Sequence, residues 1–436
     1  MADEDRISKL PDTVIVHILS FLPTVDVVRT CILSRRWKFM WFSVPTLSFS
    51  DTSADFQSPD GLEKFYKYVD DCLEHRRRIM YYFVDSNKVK EINLCLSFSC
   101  EDGVNYYWLP ETVVNARGLT ILELEGLDLD ATYSIGLPAL KTLSMKNFFF
   151  LSIGKVDLVS KFLLGCPSLE KLMLDLGGNM GSIGDLRLQS SSLKFIKIEN
   201  DGSAYAVPFQ VEAINLESLV LNGPIFEISN LSTCKAIRNL SLTFNSSITI
   251  KDPSSLEYLI SNLPLLEDLT LENCYELKLE HIKILNQQLK SFHLKNKDAK
   301  YDHGMNIIIE SAPKLTTFCY EGNVNLSIST KSSNLLNGKF VISNLHENYD
   351  PNWFTSMMIF LLNLNCSWNI VTLHVHSDKD LILSENFKKI CRSPLLNWKH
   401  LRVITDKPER ESNLKDSLMW ISPSLETLSI NGKVIL

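Results

Sequence analysis

Three apolar residues in the spacing apolar-x-x-apolar-x-apolar return along most of this chain. They stand at Leu119/Leu122/Leu124, Leu140/Leu143/Met145, Leu169/Leu172/Leu174, Leu193/Ile196/Ile198 and Leu216/Leu219/Leu221. They continue at Ile237/Leu240/Leu242, Leu266/Leu269/Leu271, Leu289/Phe292/Leu294 and Leu315/Phe318/Tyr320. The last two residues of each triplet lie two apart, which puts both on one face of a short strand, and the first turns the chain into it. Between strands, Val156–Leu164, Pro253–Leu263 and Leu414–Ile421 carry the pattern of short helices. Pro138, Pro167, Pro264, Pro313 and Pro423 each stand two residues before an apolar residue that opens a strand segment. Proline cannot continue a helix, so it marks the return from outer segment to strand.

From residue 119 to residue 315 the pattern takes eight steps over 196 residues, a mean of 24.5. That period falls in the leucine-rich repeat range of about 20–29 residues. The predicted fold is α/β, with a curved parallel β-sheet inside and helices and loops outside, and regular repeats over 111–325. Beyond residue 325 the pattern blurs. Asn325–Ile342 reads as one or two strands and Pro351–Asn365 as a helix. Val371/Leu373/Val375 and Leu401/Ile404 read as degenerate strands, and Leu425/Leu428/Ile430 closes the array. Residues 326–436 are therefore expected to be degenerate C-terminal repeats and a cap, with the polar stretch Asn431–Lys433 too short to identify one.

The first 49 residues follow another period. Pro11 suits a helix start and Asp12 adds favourable charge there. Val14, Ile15, Ile18, Leu19 and Leu22 recur at helical spacing, and Pro23 ends the segment. Thr24 is the expected N-cap of a second helix through Val27, Val28, Cys31 and Ile32, and Ser34 that of a third carrying Trp37 and Trp41. A unit of about 40 residues is too small to cover this much apolar surface alone. Residues 50–59 read as a loop. A helix over Gly61–Arg78 follows, ending in the basic run His75–Arg78, whose charge complements the helix dipole.

The stretches LPDTVIVHILSFLP, RTCILSRRWKFMW and SVPTLSF resemble the F-box in the form found in plant F-box proteins with leucine-rich repeats. CPSLEKL and LPLLEDL resemble the repeats of the same proteins. The resemblance implies an N-terminal three-helix F-box over 1–49, a linker helix and first irregular repeat over 50–110, and then the leucine-rich-repeat solenoid. It further implies that the F-box docks on a Skp-type adaptor, and through it on a cullin–RING ubiquitin ligase. The contact would be made by Leu10, Pro11, Ile15, Ile18, Leu19, Leu22, Leu33 and Trp37. Arg35, Arg36 and Lys38 are expected to form a solvated or rim face. The chain would then be a non-catalytic substrate-recognition subunit whose repeats bind an unknown target protein. Two alternatives stay open: an interaction scaffold without a role in ubiquitination, and a ligand-sensing receptor.

Composition is that of an ordinary soluble globular protein. Apolar residues make up 45% and charged residues 22%, with a net charge of −7, which does not favour nucleic acid or an anionic membrane as partner. The first 20 residues lack the features of a secretory signal, and Met357–Cys366 is too short to span a bilayer. Ten scattered cysteines without a CxxC are expected to be reduced and mostly buried. The Asn-x-Ser sequons at Asn230, Asn239, Asn245, Asn325 and Asn365 are then chance, and the expected location is the nucleus, the cytoplasm or both. GGNMGSIG (Gly177–Gly184) precedes strand-like residues rather than a helix, so it reads as a loop and not a phosphate cradle. His374 and His376 share a strand face with no third ligand nearby in sequence. There is no GxSxG, no HExxH and no paired carboxylate spacing, so no catalytic residue, metal or cofactor is expected.

Overall fold

The computed structural model describes residues 7, 9–51, 59–82, 89–96, 107–127, 129, 132–146, 158–176, 186–200, 209–223, 231–244, 254–274, 281–296, 304–331, 334–343, 351–408 and 411–436. The chain divides into two compact units, Met1–Ala213 and Ile214–Leu436.

The first unit opens with three short helices, α1 (Asp12–Leu19), α2 (Thr24–Arg29) and α3 (Arg35–Ser43). Strand β1 (Thr46–Ser50) and the long helix α4 (Pro59–Tyr82) follow. After β2 (Glu91–Cys95) come α5 (Glu111–Val114), β3 (Ile121–Glu125), β4 (Thr142–Lys146), α6 (Leu158–Gly165), β5 (Lys171–Asp175), β6 (Leu186–Gln189), β7 (Phe195–Glu199) and β8 (Phe209–Glu212). Strands β1, β2, β3, β4, β5 and β7 pair in that order, all parallel. β6 and β8 form a separate parallel pair.

The parallel register stacks identical positions of successive repeats. One row runs Leu47, Ile92, Leu122, Leu143, Leu172, Ile196; the other runs Phe49, Leu94, Leu124, Met145, Leu174, Ile198. All twelve side chains are buried. Burying one such side chain is worth about 1.5–3 kcal/mol, so these rows are the principal stabilising feature of the unit. The residues between them face the open side of the sheet. β1, directly after the third helix, supplies the first member of both rows.

The turns explain the prolines. Leu140 N–H donates to the Leu137 carbonyl (3.1 Å) and Leu169 N–H to that of Cys166 (3.1 Å). Each is the closing bond of a β-turn with proline second and the strand-entry leucine fourth. In the second unit Leu266, Leu315 and Leu425 close the same turn on Leu263, Ala312 and Ser422 (3.2, 3.1 and 3.4 Å). Proline presets the backbone angle that the second position of such a turn needs.

The second unit contains β9 (Ser218–Asn222), β10 (Asn239–Thr243), α7 (Ser254–Ser261), β11 (Asp268–Glu272), β12 (His281–Leu285), β13 (Ser291–Lys295), β14 (Met305–Ser311) and β15 (Thr317–Gly322). It continues with β16 (Leu326–Thr330), β17 (Leu336–Ile342), α8 (Pro351–Leu362), β18 (Leu364–Asn365), β19 (Trp368–Ser377), α9 (Glu385–Ile390), β20 (His400–Lys407), α10 (Glu411–Ile421), β21 (Thr427–Ile430) and β22 (Lys433–Val434). The main sheet pairs β9, β10, β11, β13, β15, β17, β19, β20 and β21 in parallel. Helices α6, α7 and α10 lie where the apolar spacing predicts them. Between β11 and β19, β16 and β17 fall in the stretch Asn325–Ile342 read as strands and α8 in the predicted helix, whereas β12, β14 and β18 stand where helices or loops were expected. There β12, β14, β16 and β18 form a second parallel sheet. Its buried residues include Ile282, Ile284, Ile307, Ile309 and Ile328, β-branched side chains that favour strand over helix.

The blurring after residue 325 has a local cause. The register shifts between Leu336 and Asn337, and Gly338 stands opposite Phe318 and Val371 where a leucine would be expected. The Trp368 ring occupies that space: a Cβ at Gly338 would lie 2.7 Å from it and 2.8 Å from the Phe340 ring. The pattern is interrupted although the sheet is not.

The last two strands form a hairpin. Asn431 and Gly432 both have positive φ (48° and 82°), the signature of a two-residue hairpin turn, and β22 folds back antiparallel on β21. Asn431 accepts the Thr405 N–H (2.9 Å) and donates to the Thr405 hydroxyl (3.1 Å). The Asn-Gly pair is the sequence signal that identifies it. Helix α4 is longer than the predicted Gly61–Arg78, so the basic run is not at its end. The stretch Gly177–Gly184 lies outside the described residues, as do Asn230, Asn245 and Cys100.

Gly338→Ala should destabilise the protein by about 1–3 kcal/mol, because both facing rings are packed and cannot withdraw freely. Urea unfolding of variant and parent measures this.

Candidate functional site

The three N-terminal helices carry apolar residues of two kinds. Ile15 and Leu19, four apart on α1, are buried with Val27, Trp37, Met40, Trp41 and Val44 in the core of the helical module. Val14, Ile18 and Leu22, also four apart, are exposed. The apolar spacing that reads as one face is thus two adjacent rows, one turned inward and one outward. Phe21 is 74% exposed beside the second row. A 3₁₀ turn over Thr30–Ile32 then leads to the third helix, leaving Ile32 88% and Leu33 62% exposed.

Among the residues that the family resemblance assigns to docking, Pro11, Ile18, Leu22 and Leu33 are exposed and Leu10 is half-buried. Ile15, Leu19 and Trp37 lie in the module's own core, so in this structure they support the surface rather than form it. Phe21, Ile32 and Phe39 are exposed apolar residues outside that assignment. The spacing carries the second helix through Ile32, whereas α2 ends at Arg29 and Ile32 lies in the 3₁₀ turn. The sequence did hold a signal: Cys31, Ile32 and Leu33 are consecutive, and three successive residues cannot all face one side of a helix.

The caps and charges hold this surface in place. Ser34 caps α3 as expected, accepting the Trp37 N–H (3.4 Å). Thr24 is not a cap. Pro23 occupies that position, and the Thr24 hydroxyl instead accepts the Ser48 N–H of β1 (2.8 Å). Arg36 is not simply a solvated rim charge: its Nε and Nη2 donate to Asp12 Oδ1 (2.9 and 2.5 Å), and Nη2 also to the Leu10 carbonyl (2.6 Å). It pins the start of α1 to α3, although an exposed pair of this kind adds little stability.

Arg76, inside the basic run expected at the helix end, is 3% exposed. Its Nη2 donates to the carbonyls of Phe42 (2.9 Å) and Val44 (2.6 Å), at the open C-terminal end of α3. Its guanidinium lies 4.6 Å from the centre of the Trp41 ring, a cation–π contact. Burial pulls its pKa down to about 10, so it remains a cation at neutral pH. Helix α4 is thereby bonded to the helical module through one side chain.

In the second unit His374 and His376 do share a face of β19. Asp406 of β20, which sequence distance concealed, lies 3.0 Å from His374 Nε2 and 3.4 Å from His376 Nδ1. Those hydrogen bonds hold the Asp406 carboxyl below its ordinary range. Among the described residues no group of three or more His, Cys, Asp or Glu is arranged to hold a metal ion. Every described cysteine is a free thiol, four buried and five half-buried. Burial pushes Cys166 and Cys366 up to about 12, so these thiols are protonated at neutral pH. No helix among the described residues is long and apolar enough to cross a membrane.

A three-helix module joined to a stack of parallel leucine strands defines a class, the F-box proteins with leucine-rich repeats. Residues 7–48 match the F-box domain, and residues 84–244 match the family described as "FBD-associated F-box protein At5g56370, LRR repeats". Relatives in Arabidopsis thaliana include FBD-associated F-box protein At4g10400, 32% identical over 200 residues (41% of this chain, 47% of the relative). F-box/FBD/LRR-repeat protein At2g26030 is 27% identical over 247 residues (50% and 53%), and F-box/FBD/LRR-repeat protein At2g04230 is 26% identical over 337 residues (72% and 73%). Against the first two, the chain spans about half of the relative's length. The chain is a plant-type F-box/leucine-rich-repeat protein.

Replacing Arg76 by methionine keeps most of the packing on Trp41 but leaves two carbonyls without their donor. The expected loss is about 2–3 kcal/mol, the scale of a hydrogen bond to a charged group. Chemical unfolding read through tryptophan fluorescence measures it.

Proposed function

We propose that this chain is the substrate-recognition subunit of a Skp–cullin–F-box type ubiquitin ligase. The observation that carries this reading is the exposed apolar set Ile18, Phe21, Leu22, Ile32 and Leu33 on the F-box helices. Five large apolar side chains left exposed on so small a module are the composition expected of a protein-docking surface. The match of residues 7–48 to the F-box domain supports a Skp-type adaptor as the partner. In this reading Ile15, Leu19 and Trp37 keep the helices at the angle that presents the patch.

The repeats carry the other half of the function. Their leucine rows hold the sheet, and the intervening side chains are free to bind a target protein. Ubiquitin transfer would be performed by the conjugating enzyme of the assembly. This chain would raise the effective concentration of a target lysine beside it.

Co-expression with a Skp-type adaptor tests the docking step. Ile32→Asp places a charge on the patch without touching the core and should weaken adaptor capture by about tenfold or more, at 2 kcal/mol or more for an interface anchor. Equal capture of parent and Ile32→Asp would remove Ile32 from the interface, and no capture of the parent would overturn the reading.

A further inference from the structure

The open face of the first unit's sheet is not uniform. Across β2, β3, β4, β5 and β7 the middle row reads Asn93, Glu123, Ser144, Met173, Lys197. The shortest side chain stands at the centre, between longer neighbours. Ser144 alternates with the buried Leu143 and Met145, so its Cβ points to the open face, yet the residue is only 3% exposed. It is the floor of a depression of about 180 Å³. Its hydroxyl has no hydrogen-bond partner among the described residues.

The walls are charged. Glu123, Glu125, Asp175 and Glu199 line the depression with Lys146 and Lys197, a balance of four carboxylates against two ammonium groups. Lys197 is engaged by Glu199 (2.8 Å), and Lys146 is on the exposed side. Glu123 is held in position by the Asn93 amide, which donates to Oε2 (2.9 Å). The Cys95 thiol at the same site is pushed up to about 11, by burial first and then by Glu125 and Glu123, in keeping with a negative local potential. A concave site with low-dielectric walls concentrates such a field.

We propose that this depression receives a lysine or arginine side chain from a basic segment of the target protein. The word target rests on the ligase reading above; the site itself does not. Size decides the class of ligand. Small-molecule pockets are about 300–1,000 Å³, and at about 180 Å³ this depression falls below that range, a size that suits a single side chain. A metal ion is disfavoured, since these carboxylates are not among any group arranged to hold one in the described residues. The cation's N–H groups would meet the carboxylates on the walls, and the Ser144 hydroxyl would supply an acceptor on the floor.

The test uses the full chain with a phage-displayed library of random short peptides as the probe. Selected peptides are expected to share a lysine or arginine at a fixed position. Replacing that residue by alanine, and separately introducing Glu123→Lys with Asp175→Lys in the protein, should each weaken binding by about tenfold or more. Ser144→Leu should do the same with every charge kept, because it fills the floor. Affinity should also fall as salt rises from about 50 to about 500 mM. Failure to select any peptide, selected peptides without a shared basic residue, or charge-reversed protein binding within about twofold of the parent would each overturn the proposal. Unfolding midpoints equal to the parent's certify that the variants are folded. Adaptor capture on the same preparations reports on the ligase reading independently, since none of these residues lies on the F-box helices.

Discussion

A parallel strand has hydrogen-bonding groups on both edges and an apolar row on one face, and it is stable only when neighbours cover all three. Strand β1 imposes that condition on the N-terminal helical module. Leu47 and Phe49 are the first members of the two buried rows, and the Lys90 and Glu91 N–H groups bond to the Pro45 carbonyl (2.8 and 3.1 Å). The F-box thus ends in a strand that the repeats must pair. Its second helix is held to the same sheet by the Ser48–Thr24 bond, and its third is held to helix α4 by Arg76. The module that was too small to cover itself is completed by the repeat stack on one side. Ile18, Phe21, Leu22, Ile32, Leu33 and Phe39 remain exposed on it.

That arrangement separates two kinds of residue along every repeat. The buried row positions are interchangeable in kind, and Leu, Ile, Met and Phe all occur there because each fills the same layer. The open-face positions have no packing task, so they can carry Glu, Ser, Lys or Asp without cost to the fold. A short side chain among long ones makes a pit, as at Ser144. Where the row itself is broken, as at Gly338, an aromatic from the next strand fills the gap and the sheet continues.

Much of this was legible in the sequence. The nine triplets fall on nine strands, the five prolines on five turns, and the N-terminal module's helices near their apolar periods, though the second ends before Cys31 and Ile32. These features are local: alternation, helical spacing and turn chemistry are properties of a few consecutive residues. The prolines were read as breakers and proved to be the second residues of hydrogen-bonded turns, a sharper form of the same constraint.

Other features depend on which distant strands become neighbours. Periodicity told that Ile15 and Ile18 belong to an apolar helix face, but not which of them the third helix covers. It could not foresee that Asp406 would bridge two histidines thirty residues earlier. Nor could it foresee that a basic residue inside a run of charges would be drawn into the core to satisfy two helix-end carbonyls. The second sheet of β12, β14, β16 and β18 exists because four outer segments stack in register, which no single segment reveals. The sequence by itself determined the repeat, its period and the residues that hold it. Only the tertiary structure decided which apolar side chains stay outside, because exposure is a property of neighbours and not of spacing.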